Sequence, residues 1–149
     1  MKILLVEDET HKREEMKQCS LDAYGVMPDI VDSVSSAVLT VMENDFDLII
    51  LDMALSTFGE NTSDKLKGHD QAQGGIEVLR ALKHANKSTK ILIVTQFGDF
   101  YIAGVKVKLK DSPKIIKNRY GQNVVGAVLY NYKSQATLQK IVSILKANK

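Results

Sequence analysis

Apolar residues in this chain fall into short continuous runs separated by amphipathic stretches. "KILLVED" (2–8), "DIVDSV" (29–34), "FDLIILD" (46–52), "KILIVTQ" (90–96) and "VVGAVLYNYK" (124–133) read as five strands. Between them, "THKREEMKQCSLDAY" (10–24), capped by Thr10, and "SSAVLTVMEN" (35–44) carry helical spacing. So does "GGIEVLRALKHAN" (74–86), with Ile76, Leu79 and Leu82 on one face. A further helix is predicted over 112–120. The last, "SQATLQKIVSILKANK" (134–149), places Leu138, Ile141, Val142 and Leu145 at i, i+3, i+4 and i+7, with Ser134 as N-cap.

Strands that alternate with helices build βαβ units and a parallel sheet covered on both faces. Continuous aliphatic strands, as opposed to alternating ones, suit a sheet buried on both sides. Two segments exceed the minimal pattern. Residues 53–73 form a long polar connection where about 2–6 residues are usual. Residues 97–123 contain lysines at 106, 108 and 110, an alternation expected of an exposed ribbon whose charges discourage edge pairing.

The 149 residues, 44% hydrophobic and 26% charged, suit one globular domain spanning 1–149, with no further domain expected. No apolar run approaches the roughly 18 residues that span a bilayer, and the acidic turn after the first strand leaves no signal-peptide core. A cytoplasmic location is the expectation. Cys19, the single cysteine, shares helical spacing with Met16 and Ala23, which predicts plain packing. Charge is lopsided: residues 1–60 hold four Lys/Arg against thirteen Asp/Glu, and residues 106–149 hold ten against one. Two surfaces with different partners follow from that split.

In a doubly wound sheet, function gathers at the carboxyl ends of strands around the switch point. The first strand ends in Glu7, Asp8 and Glu9, and the third in Asp52. With the order 2-1-3-4-5 those two strands are neighbours, about 4.8 Å apart, so the carboxylates share one crevice. Carboxylates that close have raised pKa values or hold a cation, and Mg²⁺ suits them best. Thr95 ends the fourth strand and Lys133 the fifth. A carboxylate nucleophile, a cation, a hydroxyl and an ammonium are the parts that hold a phosphoryl group on an acid.

On "ILLVEDE", "LIILDMAL", "GGIEVLRALK" and "ILIVTQ", the chain resembles the receiver domain of two-component response regulators, the CheY-like family. The resemblance covers nearly the whole chain and implies a flavodoxin-like fold. It implies that Asp52 accepts a phosphoryl group from a histidine kinase or phosphotransfer protein. Asp8, Asp52 and the carbonyl of Ala54 would ligate Mg²⁺, with Glu7 acting through water. Thr95 would bond a phosphoryl oxygen, with Lys133 as the ammonium and Tyr130 as the aromatic switch. A downstream protein would read the switched surface, and a weak homodimer is compatible with it. No membrane insertion is implied.

Several positions depart from the family pattern. Ser56 stands where the family has proline, and Gly75 lies far from Asp52, as an enlarged loop requires. Counting back from the last helix places Asn131, not Lys133, at the family's lysine position. If Asn131 fills it, a pseudo-receiver that binds partners without phosphorylation is the alternative. Nucleic-acid binding through Lys106, Lys108, Lys110, Lys114, Lys117 and Arg119 is another. Other enzyme classes are disfavoured. A phosphatase of the haloacid dehalogenase type wants a second acid where Ala54 stands, and the chain lacks both G-x-x-x-x-G-K-[ST] and G-x-G-x-x-G. His11, His69 and His84 lack metal spacing.

Overall fold

The computed structural model describes residues 1–55 and 74–149. Of the long connection after the third strand only 53–55 is included; Ser56, His69 and the rest of that insertion lie outside the described residues. Five strands, β1 (Ile3–Val6), β2 (Asp29–Val31), β3 (Leu48–Leu51), β4 (Lys90–Thr95) and β7 (Asn123–Leu129), form one parallel sheet in the order β2-β1-β3-β4-β7. This is the expected doubly wound order, because β5 (Asp99–Ile102) and β6 (Val105–Lys108) stand apart in a hairpin of their own.

Side-chain alternation divides the inner strands between two cores, while β2 at the edge adds only the partly buried Val31 to one of them. Leu4, Val6, Ile49, Leu51, Ile91 and Ile93 face one side, where they meet α2 (Val34–Glu43) and α3 (Gly74–His84) together with Ile116 and Tyr120 of α4 (Ser112–Tyr120). Ile3, Leu5, Leu48, Ile50, Leu92, Val94 and Val128 face the other, against α1 (Thr10–Tyr24) and α5 (Gln135–Ala147). Cys19 packs there between Met16 and Ala23, buried as its spacing predicts. A sheet buried on both faces has no room for a polar alternation, hence the unbroken aliphatic runs.

Local chemistry moves several boundaries. Thr10 is the first helical residue of α1 rather than its cap; Glu9 holds the cap position without a side-chain bond. Ser33 caps α2 by accepting from Ser36 N–H at 3.2 Å, so the second strand ends at Val31, short of the predicted limit. The capping hydroxyl competes with strand pairing there and wins. β7 ends at Leu129, four residues short of Lys133; Tyr130 still donates its N–H to Thr95 O at 2.7 Å, and the chain then turns into Ser134, the N-cap of α5.

The insertion after β4 is the antiparallel hairpin of β5 and β6. Its two-residue turn, Ala103 (φ 51°) and Gly104 (φ 82°), has the doubly positive φ of a twist-matched hairpin turn. Lys106 and Lys108 point to solvent, while Phe100, Ile102 and Val107 are buried in the core beside Ile116. Lys110 falls beyond the ribbon, in the short 3-10 turn Leu109–Asp111. The ribbon is legible from its lysines; its first strand is not.

Two glycines let α3 approach the loop that follows β3. A Cβ on Gly74 would lie 1.8 Å from Leu55 O, and one on Gly75 would lie 2.7 Å from Met53 Cα. Gly75 N–H also donates to Met53 O at 3.0 Å. Residues 52–55 are therefore clamped from below by backbone contact. Gly74→Ala is expected to lower unfolding stability by about 1–3 kcal/mol in urea melts, since backbone must shift to make room. Gly98→Ala, where a Cβ meets nothing within 4 Å, is expected to stay within about 0.5 kcal/mol.

Candidate functional site: an acidic pocket closed by a buried lysine

Beyond Val6 and Leu51, β1 and β3 run directly into Glu7, Asp8 and Asp52, and Asp52 N–H donates to Val6 O at 3.2 Å. The pairing of Val6 with Leu51 sets the acids side by side. One carboxylate oxygen from each of Glu7, Asp8 and Asp52 lies within 4.8 Å of the others. Glu7 and Asp52 are buried and Asp8 is half-buried, so access is from the Asp8 side. Asp52 Oδ1 is oriented by Ala54 N–H at 3.0 Å, and Glu7 Oε2 accepts from Glu9 N–H at 3.1 Å.

A buried cation completes the pocket. Lys12 is 1% exposed, and its Nζ lies 2.8 Å from Glu7 Oε1, 3.5 Å from Asp52 Oδ1 and 2.7 Å from Val94 O. The same ammonium sits 5.4 Å from the centroid of the Tyr130 ring. Sequence reasoning passed over Lys12. Its signal lay in the packing stripe of α1: Met16, Cys19 and Ala23 share a buried face with Lys12, which sits four residues ahead of Met16.

The remaining sequence-derived residues divide. Thr95, fully buried, ends β4 one residue past the carbonyl that Lys12 holds, and its Oγ1 accepts from Phe97 N–H at 3.3 Å. Tyr130 is buried on the α1/α5 side, in the cluster of Val94 and Val128, and its hydroxyl donates to Glu15. Burial, then that bond to Glu15, pushes the Tyr130 phenol upward. Asn131 and Lys133 are both exposed; Lys133 has a φ of 58°, and its ammonium lies over the Tyr132 ring at 5.3 Å. Around the rim, Gln96 Nε2 donates to Glu9 Oε1 at 3.2 Å, and His11 meets the Tyr132 ring at 4.3 Å between centroids.

Electrostatics follow from two buried carboxylates sharing one ammonium. Desolvation, then repulsion from Asp52, pushes Glu7 from 4.5 up to about 8, against the pull of Lys12. Asp52 is also raised, first by burial, with Lys12 and the Ala54 N–H opposing. Hard oxygen donors at this spacing suit Mg²⁺, which takes one or two carboxylates and completes its shell with water or phosphate oxygens.

A raised carboxyl keeps its proton in the folded protein where the unfolded chain has lost it. The resulting stability is complete below about 4.5 and is lost as pH rises to about 8. In metal-free buffer, urea unfolding is expected to show stability falling from pH 5 to pH 8, by no more than about 1.4 kcal/mol per pH unit for one proton. Glu7→Gln, which has no proton to release, is expected to flatten that slope.

No family model matches the chain. It is 31% identical over 153 aligned residues to the Detocs response regulatory protein DtcB of Vibrio alginolyticus, covering 97% of this chain and 99% of that one. It is 32% identical over 98 residues to the transcriptional regulatory protein CusR of Escherichia coli, covering 66% of this chain and 36% of that longer protein. Among solved structures, a response regulator from Colwellia psychrerythraea superposes with a TM-score of 0.61 at 15% identity, over 98% of this chain and 97% of that one. The chemotaxis response regulator CheY4 of Vibrio cholerae gives 0.61 at 19% identity, over 97% of both chains. The near end-to-end match to a response regulatory protein agrees with the sheet order and the acids at its strand ends: the chain belongs to the response-regulator receiver family.

Proposed function

We propose that this receiver is phosphorylated on Asp52 in a two-component relay, with Mg²⁺ as cofactor. The observation that carries the reading is the cluster of Glu7, Asp8 and Asp52 carboxylates at adjacent strand ends, with Asp8 half-exposed. A carboxylate oxygen of Asp52 attacks the phosphorus of a phosphohistidine on a histidine kinase or phosphotransfer protein. The new O–P bond forms as the N–P bond breaks, and the electron pair leaves with the imidazole. Asp8, Asp52 and the Ala54 carbonyl would hold the metal, with Glu7 behind them. Bound there, Mg²⁺ supplies charge neutralisation for the transferring phosphoryl oxygens.

The chain's own residues position the nucleophile and read the product. Ala54 N–H fixes Asp52 Oδ1 at 3.0 Å, which orients the carboxylate before any donor arrives. Thr95 Oγ1, now accepting from Phe97 N–H, supplies the hydroxyl for a phosphoryl oxygen. Tyr130 joins that strand end through its N–H to Thr95 O at 2.7 Å and joins α1 through Glu15. Phosphorylation then favours one arrangement of this linkage over another, a population shift rather than a new fold.

The signal leaves through a protein-binding surface, most simply the basic side where Lys106, Lys108, Lys110, Lys117 and Arg119 are exposed. Such a surface suits an acidic protein partner. The role is that of a cytoplasmic signalling protein whose only chemistry is on itself. Among the described residues no helix is long and apolar enough to cross a membrane.

Incubation with acetyl phosphate and Mg²⁺ is expected to add one phosphoryl group, read by intact mass. The adduct is expected to disappear in Asp52→Asn and with excess chelator. No adduct under saturating donor would leave a binding-only receiver; an adduct that survives Asp52→Asn would place the acceptor elsewhere.

A further inference from the structure

We propose that Lys12, on the first helix, is the ammonium that faces the phosphoryl oxygens on Asp52, a role that no lysine after β7 fills in this chain. The inference rests on the phosphoacceptor reading of Asp52 and names a residue of that site. Its ammonium already touches the acceptor, at 3.5 Å from Asp52 Oδ1, and is held there by Glu7 Oε1 at 2.8 Å and Val94 O at 2.7 Å. These partners come from the ends of β1, β3 and β4, so the charge sits at the centre of the pocket rather than at its rim. Lysine is seldom fully buried, because stripping an ammonium of water is costly unless its donors are matched. Here all of the contacts lie at the acidic pocket, and the aliphatic stem fills the α1 packing face that a plain apolar side chain would serve as well.

Lys133 is placed differently. The β4–β7 register sets Leu129 opposite Thr95, which carries Lys133 four residues past the strand end. It is exposed there, with its ammonium against Tyr132. On phosphoryl transfer Lys12 keeps its protons. It gives up part of its pairing with the Asp52 carboxylate and donates to a phosphoryl oxygen in its place, while Val94 O and Glu7 hold the side chain in position. The Tyr130 ring, 5.4 Å from the ammonium, then senses that movement directly.

Lys12→Met and Lys133→Met separate the two lysines, with acetyl phosphate and Mg²⁺ as reagents and adduct formation followed by intact mass. Lys12→Met is expected to slow adduct formation by about 10²-fold, the loss typical for one preorganised charge donor. Lys133→Met is expected to match the parent. Calorimetry with Mg²⁺ alone is expected to show Lys12→Met binding the ion at least as tightly as the parent, because a competing cation has been removed; slow transfer then reflects the missing donor and not a missing metal. Parent-like rates in Lys12→Met, or slowing confined to Lys133→Met, would overturn the assignment. If the parent itself takes no phosphoryl group, the phosphoacceptor reading fails first. Should Lys12→Met not fold, ¹⁵N-lysine NMR of the parent decides: the solvent-protected ammonium is expected to shift on adding beryllofluoride with Mg²⁺, and an unmoved signal would reject the proposal.

Discussion

The Lys12 ammonium joins the ends of β1, β3 and β4 through Glu7, Asp52 and Val94 O, and much of the site depends on that contact. Two carboxylates buried together repel each other and lose their hydration. An ammonium between them offsets part of both costs, provided that its own donors are matched, and burial still leaves both carboxyls raised. The Val94 carbonyl supplies the third partner, which water would otherwise have to provide. A carboxylate can thus stand at the end of a fully buried strand without dismantling it.

The same contact links packing to chemistry. Lys12 reaches the pocket because α1 lies against the sheet through Met16, Cys19 and Ala23. On the opposite face, Gly74 and Gly75 bring α3 close enough to hold residues 52–55 in place. Asp52 is therefore supported from both layers: a helix on one side delivers charge, and a helix on the other fixes the backbone that carries the acid. Tyr130 adds a third support, linking the end of β4 to Glu15 on α1.

Most of the fold was legible because burial on both faces leaves one pattern, short aliphatic runs between amphipathic helices. The acids at the strand ends were legible for the same reason, since a charge that interrupts "LIIL" stands out. Other features were hidden by local competition. Ser33 ended the second strand early through its cap. β5 went unseen because Phe100 and Ile102 alternate over only four residues, and their partner strand is needed to make sense of them. Lys133 looked like the end of the last strand, yet the chain leaves the sheet at Leu129 and turns before reaching it.

By itself the sequence determined the strand and helix order, the parallel sheet, and the pairing of Glu7 and Asp8 with Asp52, because hydrophobic period and strand adjacency are properties of the chain as written. Which ammonium enters the pocket was decided only in three dimensions. Lys12 sits on the helical stripe of Met16, Cys19 and Ala23 and Lys133 follows the last strand, but neither position says which of the two meets the acids. The docking of α1 buries one against the acids, while the turn after β7 leaves the other in solvent. That difference lies in the packing of a helix on a sheet, which no short stretch of sequence contains.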